Sequence, residues 1–382
     1  MADQNVRPSA VGVPPALSVL RWAEPPQGPA VVLLDQTRLP AEEVELVCAD
    51  VPALVRAIRT LAVRGAPLLG IAGAYGVALA AVRGDDVAMA AELLDRARPT
   101  AVNLGYGVRR AVRAYQEAVG KGADAGGAAA AVLAEAGALH REDAEASGRM
   151  ARYGLALLEE LLPDGDGHRL LTHCNTGALV SGGEGTAFAV ALGAHRAGRL
   201  RRLWVDETRP LLQGARLTAY EATRNGMPYN LLTDNAAGSL FAAGEVDAVL
   251  IGADRIAADG SVANKVGSYP LAVLAKYHHV PFIVVAPTTT VDPGTLDGAS
   301  IVVEQRPAAE VTEFMSPGAG AVGREGGGLA VAPEGTAAYN PAFDVTPPEL
   351  VTAIVTEEGV VSPVTGAGLA ALCARSSQVT IS

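Results

Sequence analysis

Cysteine, aromatic residues and positive charge are all scarce in this sequence. Its 382 residues hold 3 cysteines, Cys48, Cys174 and Cys373, far apart and odd in number. That spacing fits neither a disulfide framework nor a zinc site, and points to a reducing compartment. Lys and Arg total 30 against 41 Asp and Glu, a formal net charge of -11, and no Lys/Arg block offsets it. A nucleic-acid partner is excluded, because phosphate neutralisation needs a basic face. No GxGxxG follows the first strand of the C-terminal half and no GxxxxGK[ST] occurs, so neither a dinucleotide nor a P-loop nucleotide is indicated. The N-terminus lacks a charged start, a long apolar run and a cleavage motif, so no signal peptide is read. The most apolar run, from Leu68 to Val82, is shorter than a bilayer demands and carries Gly70, Gly73 and Gly76. The expectation is a cytoplasmic protein without a membrane partner.

What is present describes a tightly turned, enzyme-like chain, 49% hydrophobic and long enough for roughly two domains. Residues 1–28 are proline-dense with little periodicity and read as a flexible arm. Residues 29–163 read as a mainly helical N-terminal domain: a strand in VVLLDQTRLP, an amphipathic helix in VPALVRAIRTLAVRG, a buried helix from Pro67, and helices over 101–118 and about 127–162, the last with a kink near His140. From residue 164 to 365 short β-branched runs alternate with helices. Strands are expected at 169–173, 202–206, 229–233, 248–253, 281–286 and 300–304. Helices are expected near 185–197, 211–225, 236–243, 268–279 and 347–357. This alternation implies an α/β fold, with a Rossmann-like, doubly wound parallel sheet following the helical domain. Residues 315–328 read as a glycine-rich insertion and 366–382 as a tail.

The stretch HRLLTHCNTGALVSGGEG, His168 to Gly185, organises the candidate chemistry. It sets Cys174 at the C-terminal end of a strand, before a glycine loop and a helix N-terminus, where open α/β sheets place ligands and where helix amides can meet an anion. On spacing alone Cys174 reads first as a small buried apolar residue, as most single cysteines are, with a catalytic role as the alternative. Arg64 stands before a helix N-terminus, placed either for a phosphate or for an ordinary salt bridge. Asp206, Glu207, Arg209, Asp234, Asn235, Asp254 and Arg255 fall at strand ends on the same rim. Asp254 ends the apolar run VLIGAD, which leaves its carboxyl partly desolvated and raised toward the range useful for proton donation. Asn264 and Lys265 follow in a polar loop, available to a polar substrate or simply solvated.

These residues fall within stretches that resemble a known family. LLDQTRLP, AIRTLAVRGAPLLGIAGAYGVALA, RPTAVNL, LTHCNTGALVSGGEGTA, VDETRPLLQGARLTAYE, NLLTDNAAG, VLIGADRIAADGSVANKVGSYPLA and APEGTAAYNPAFDVTPPELVTAIVTEEGVV run in order from about residue 33 to 362. Together they resemble the methylthioribose-1-phosphate isomerases of methionine salvage, of the same superfamily as the regulatory subunits of eukaryotic initiation factor 2B. The resemblance implies Cys174 and Asp254 as the catalytic pair, and Arg64, Gly65, Ala66, Arg98, Gln213, Asn264 and Lys265 as substrate contacts. It also implies a homodimer that needs no metal and no cofactor.

The implied substrate is a furanose whose anomeric oxygen carries phosphate, so the ring cannot open as a free sugar does. Asp254 in its protonated form would donate to the ring oxygen. Cys174 would then take and return a proton, or polarise C2 during a hydride shift; both routes stay open at this level. Either needs a water-poor site, which a closing lid supplies. Two other readings compete. One is an isomerase of 5-deoxyribose 1-phosphate or ribose 1,5-bisphosphate. The other is a non-enzymatic regulatory protein, against which the presence of Cys174, Asp254, Arg64 and Lys265 together argues.

Overall fold

The computed structural model describes residues 17–98, 101–163, 167–314 and 328–379. Strands β1 (Leu20–Ala23), β2 (Ala30–Leu34) and β3 (Glu45–Cys48) form an antiparallel sheet in that order, with Leu20 opposite Leu33. The arm expected over 1–28 is therefore a paired strand from residue 20. Val19 and Leu20 are buried and Trp22 stacks on Tyr75, with ring centroids 6.2 Å apart. Apolar anchoring outweighs the proline density around it.

Helix α1 (Val51–Arg59) starts at Asp50, whose carboxylate accepts from the Ala53 N–H at 2.7 Å. Helix α2 (Ala66–Arg83) is long and apolar enough to cross a membrane by length and composition, but most of it is buried inside the protein. A Cβ at Gly70 would lie 2.8 Å from the carbonyl oxygen of Asn103, so glycine there lets a neighbouring helix approach closely. That neighbour is α4 (Val102–Gly120), which follows α3 (Val87–Asp95), a short helix absent from the sequence reading and capped by Asp86. Helix α5 (Ala125–Leu161) runs unbroken through His140, where a kink is expected from sequence.

The chain continues as β4 (His168–Thr172), α6 (Ala187–Arg196), β5 (Leu200–Asp206), α7 (Ala219–Arg224), β6 (Tyr229–Leu232), α8 (Ala237–Ala242) and β7 (Ala248–Ile251). Then come β8 (Arg255–Ala257), β9 (Val262–Lys265), α9 (Ser268–Tyr277), β10 (Phe282–Val285), β11 (Val291–Asp292) and α10 (Ala309–Thr312). β12 (Glu313–Phe314) and β13 (Leu329–Ala330) pair antiparallel on either side of residues 315–327, so nearly all of the expected insertion lies outside the described residues. β14 (Phe343–Thr346), β15 (Ala353–Thr356), β16 (Gly359–Val361) and α11 (Gly366–Val379) complete the chain.

Seven strands form the main sheet in the order β16-β15-β10-β7-β4-β5-β6. All neighbours are parallel except the β15–β16 hairpin. Met150, Leu157 and Leu158 of α5 pack with Phe188 and Val190 of α6 on one face. Phe241 of α8, Leu271 of α9, and Leu369 and Leu372 of α11 pack on the other. The sheet is thus covered on both faces, as a doubly wound fold requires. A second sheet, β11-β8-β9-β14, sits at its C-terminal rim.

Four local expectations change. Asn264 and Lys265 lie on β9, between β8 and β14, rather than in a loop. Residues 300–304 form no strand; a 3-10 turn, Gly298–Ser300, precedes one isolated bridge between Gln305 and Pro341. Residues 347–357 are no helix: Pro347 and Pro348 bring a 3-10 turn, and AIVT becomes the fully buried β15. Short apolar runs fit a buried strand as well as a helix, so periodicity alone does not separate them. The segment read as a tail from 366 is helix α11, seated by Leu369 and Leu372.

Candidate active site

Parallel strands all end on one side of a sheet, so β4, β7 and the β9 hairpin deliver their following residues to a common rim. A cleft of about 820 Å³ there, open to solvent, is lined by Cys174 and Asp254 together with Arg64, Gly65, Ala66, Arg98, Gln213, Asn264 and Lys265. Every site residue picked from the sequence therefore meets in one place.

Cys174 is buried, and Arg64 Nη2 donates toward its Sγ at 3.6 Å. Arg64 reaches it from the turn ahead of α2, where Gly65 has φ +92°. Arg64 Nη1 and Gln213 Oε1 are buried with no partner among the described residues. The Asp254 N–H donates to the Ala263 carbonyl at 2.9 Å, which sets the carboxyl beside β9. Burial raises the Asp254 carboxyl above the usual carboxylate range, while Lys265, Arg98 and Arg64 draw it back. Burial likewise lowers Lys265, opposed by Cys174 and Asp254. Lys265 Nζ donates to the Ala342 carbonyl at 2.7 Å and stands 4.9 Å from the centroid of Phe343. Asn264 donates to Ser268 Oγ at 2.8 Å.

The other strand-end residues do different work. Asp234 accepts from the N–H groups of Thr208 and Arg209 at 2.7 and 2.8 Å, as a turn residue. Arg255 pairs with Asp292 at 3.4 Å. Asp206 faces His173, away from the cleft. Among the described residues His173, Asp206 and Asp234 lie close enough to share a cation. Both ring nitrogens of His173 and both oxygens of Asp234 hold protein partners, while Asp206 Oδ2 is held by His173 and its Oδ1 is buried with no partner among the described residues.

Arg306, Glu310 and Asn340 also line the cleft and were missed. Arg306 pairs with Glu304 at 2.7 Å and with buried Glu310, to which Asn340 also donates. Of these, Asn340 lies in the family-like stretch AAYNPAF, whereas Arg306 carries no local pattern.

The chain belongs to the initiation factor 2 subunit family, whose model matches residues 62–363. Within it, the similarity is to methylthioribose-1-phosphate isomerases. That of Anaeromyxobacter sp. strain Fw109-5 is 49% identical over 348 residues, 90% of this chain and 95% of that one. That of Pelotomaculum thermopropionicum is 46% identical over 357 residues, 91% and 92%. The crystal structure of 5-methylthioribose 1-phosphate isomerase from Pyrococcus horikoshii OT3 matches with a TM-score of 0.80 at 36% identity, covering 93% of this chain and 95% of that one. A crystal structure described as translation initiation factor eIF-2B, subunit delta, from A. fulgidus gives 0.76 at 38% identity, covering 94% and 100%.

Proposed function

We propose that this chain is an aldose–ketose isomerase converting 5-methylthioribose 1-phosphate into 5-methylthioribulose 1-phosphate, a step of methionine salvage. Relatives 46–49% identical over about nine tenths of the chain are isomerases of this substrate. The observation that carries the reading in this molecule is the cleft itself, where a thiol and a half-buried carboxyl raised toward its neutral form stand among Arg64, Arg98 and Lys265.

Arg64, Arg98 and Lys265 hold the phosphate and fix the sugar. Asp254 gives its proton to the ring oxygen as the bond from that oxygen to C1 breaks. Cys174 takes the proton from C2, forming a C1–C2 enol with phosphate still on C1. The sulfur returns the proton to C1, and the C2 hydroxyl proton passes to Asp254. The ketone forms and both groups are restored, with no external oxidant or reductant. Closure of the cleft over the bound sugar is what keeps water from the enol.

A proton NMR time course with 5-methylthioribose 1-phosphate tests this. Wild type converts the substrate, while folded Cys174→Ser and Asp254→Asn lose turnover by on the order of 10²- to 10⁴-fold. No conversion by folded wild type overturns the assignment. With deuterium at C2, loss of label to solvent supports the proton route; complete transfer to C1 replaces it with a hydride shift.

The same reading makes the protein a cytoplasmic homodimer. Cys48 and Cys174 carry no disulfide, in keeping with a reducing compartment. Tyr269, Val273 and Tyr277 form an exposed apolar stripe along α9, suited to a second copy. Light scattering of the purified protein gives twice the chain mass if this holds and the chain mass if it fails.

A further inference from the structure

Cys174 has φ +65°, in the left-handed region that residues with a side chain rarely occupy. Such a conformation persists only where its surroundings over-determine it, and here they hold it on every side. The Cys174 N–H donates to Thr208 Oγ1 at 2.9 Å, and its carbonyl accepts from Thr218 Oγ1 at 2.6 Å. The residue before it, His173, is buried between two acceptors, Asp206 Oδ2 at 3.0 Å from Nδ1 and the Val266 carbonyl at 2.9 Å from Nε2. The residue after it, Asn175, is buried and donates to Glu221 Oε2 at 2.6 Å.

The hydrogen-bond chemistry of each pair is one-sided. A backbone carbonyl can only accept, so His173 Nε2 carries a proton, and the Nδ1 contact needs one more proton, on the ring or on Asp206. Burial works against a charged ring, but the Asp206 carboxylate more than offsets it and holds His173 raised. The pair therefore spans from β5 to Val266, next to Lys265, and ties the thiol's strand to the strand that carries the lysine. On the other side Glu221 Oε1 accepts from the Leu179 N–H at 3.1 Å, so one carboxyl gathers the loop after the thiol. Gly177 leaves the room: a Cβ there would overlap the Glu221 carboxyl.

We propose that the pairs His173–Asp206 and Asn175–Glu221 are positioning elements that hold the Cys174 backbone in its left-handed conformation and so aim its sulfur into the cleft. Of these four residues Asn175 lines the cleft, while His173, Asp206 and Glu221 stand behind its wall. The inference rests on the isomerase reading for what the sulfur does there.

The test compares Asp206→Ala with Asp206→Asn and Glu221→Ala with Glu221→Gln, in the full chain, by kcat, KM and thermal melting. Amide hydrogen exchange across residues 173–179 is followed in parallel. The alanine variants lower kcat by on the order of 10- to 100-fold, as misplacing a reacting group does, with KM within about threefold because the phosphate contacts stay. The amide and glutamine variants recover most of the loss, and exchange across 173–179 quickens at least about tenfold only in the alanine variants. Folded alanine variants with wild-type kcat and unchanged exchange overturn the proposal. Where an alanine variant fails to fold, Thr218→Val, which removes the hydroxyl that donates to the Cys174 carbonyl and accepts from Asn175 Nδ2 at 3.2 Å, decides by the same readings. Inactive wild type with exchange behaving as expected would overturn the isomerase reading and leave the positioning intact; active wild type with indifferent variants would do the reverse.

Discussion

Two aspartates flank the end of β4, Asp206 buried and Asp254 half-buried, and they have opposite fates. Asp254 stands three residues past the end of β7 on one side and Asp206 is the last residue of β5 on the other, and both strands run parallel to β4. Asp206 spends one oxygen on His173, and its carboxylate serves the protein's own geometry. Asp254 has three cations nearby and faces the cleft, where burial keeps it toward the protonated form. The residue type is the same and both stand at the same rim of the sheet. What separates a proton donor from a strut is whether a neighbouring side chain claims the carboxylate first.

The sharpest way to break this comparison is kinetic. Asp254→Asn lowers kcat by on the order of 10²- to 10⁴-fold, while its melting temperature stays level or rises, because a partly desolvated carboxyl in a functional cleft costs stability. A proton NMR assay beside a thermal melt reads both. The mirror experiment is thermodynamic: Asp206→Ala leaves the His173 ring without its partner and costs about 3–5 kcal/mol in urea unfolding, where Asp254→Ala does not. Equal losses from the two would erase the distinction.

A third carboxyl sharpens it by pH. Burial raises Glu221 to about 7 from 4.5. A carboxyl raised on folding contributes stability that is full below the unfolded value and is lost as pH climbs through the folded one. Between pH 5.5 and 8.5 wild type therefore loses about 2 kcal/mol that Glu221→Gln does not lose. Urea midpoints at the two pH values measure it, and parallel curves would refute the burial of an ionisable Glu221. Smallest is Gly267→Ala. With φ +110° and a Cβ position 2.6 Å from the His173 ring, it costs about 1–3 kcal/mol by disturbing the strut from its far side. An unchanged thermal melt would show that the ring has room to move.

Much of the site was legible because its residues sit in local patterns. Arg64 before a glycine and a proline-started helix, Cys174 between a strand and a glycine loop, and Asp254 closing an apolar run each announce a strand or helix end. The commitment of Asp206 was not legible, since nothing in VDETRP distinguishes a free carboxylate from one bound to a histidine 33 residues earlier. Arg306 was invisible for the same reason: its partners Glu304 and Glu310 are close in sequence, but its place in the cleft comes from the bridge of its neighbour Gln305 to Pro341 and from its own N–H, which donates to the Asn340 carbonyl at 2.9 Å. β15 and α11 were misread because short apolar segments take their form from the layer they complete.

By itself the sequence determined the alternation of strands and helices, the helical character of the N-terminal half, and the residue types that reach the rim, since periodicity and turn chemistry are local properties of the chain. Only the tertiary structure decided which rim carboxylate is free to give a proton, because desolvation and hydrogen bonding depend on neighbours brought from 33 to more than 90 residues away. It also decided that Cys174 adopts a left-handed backbone, a conformation that contacts from β5, α7 and the loop after β9 must impose on the chain.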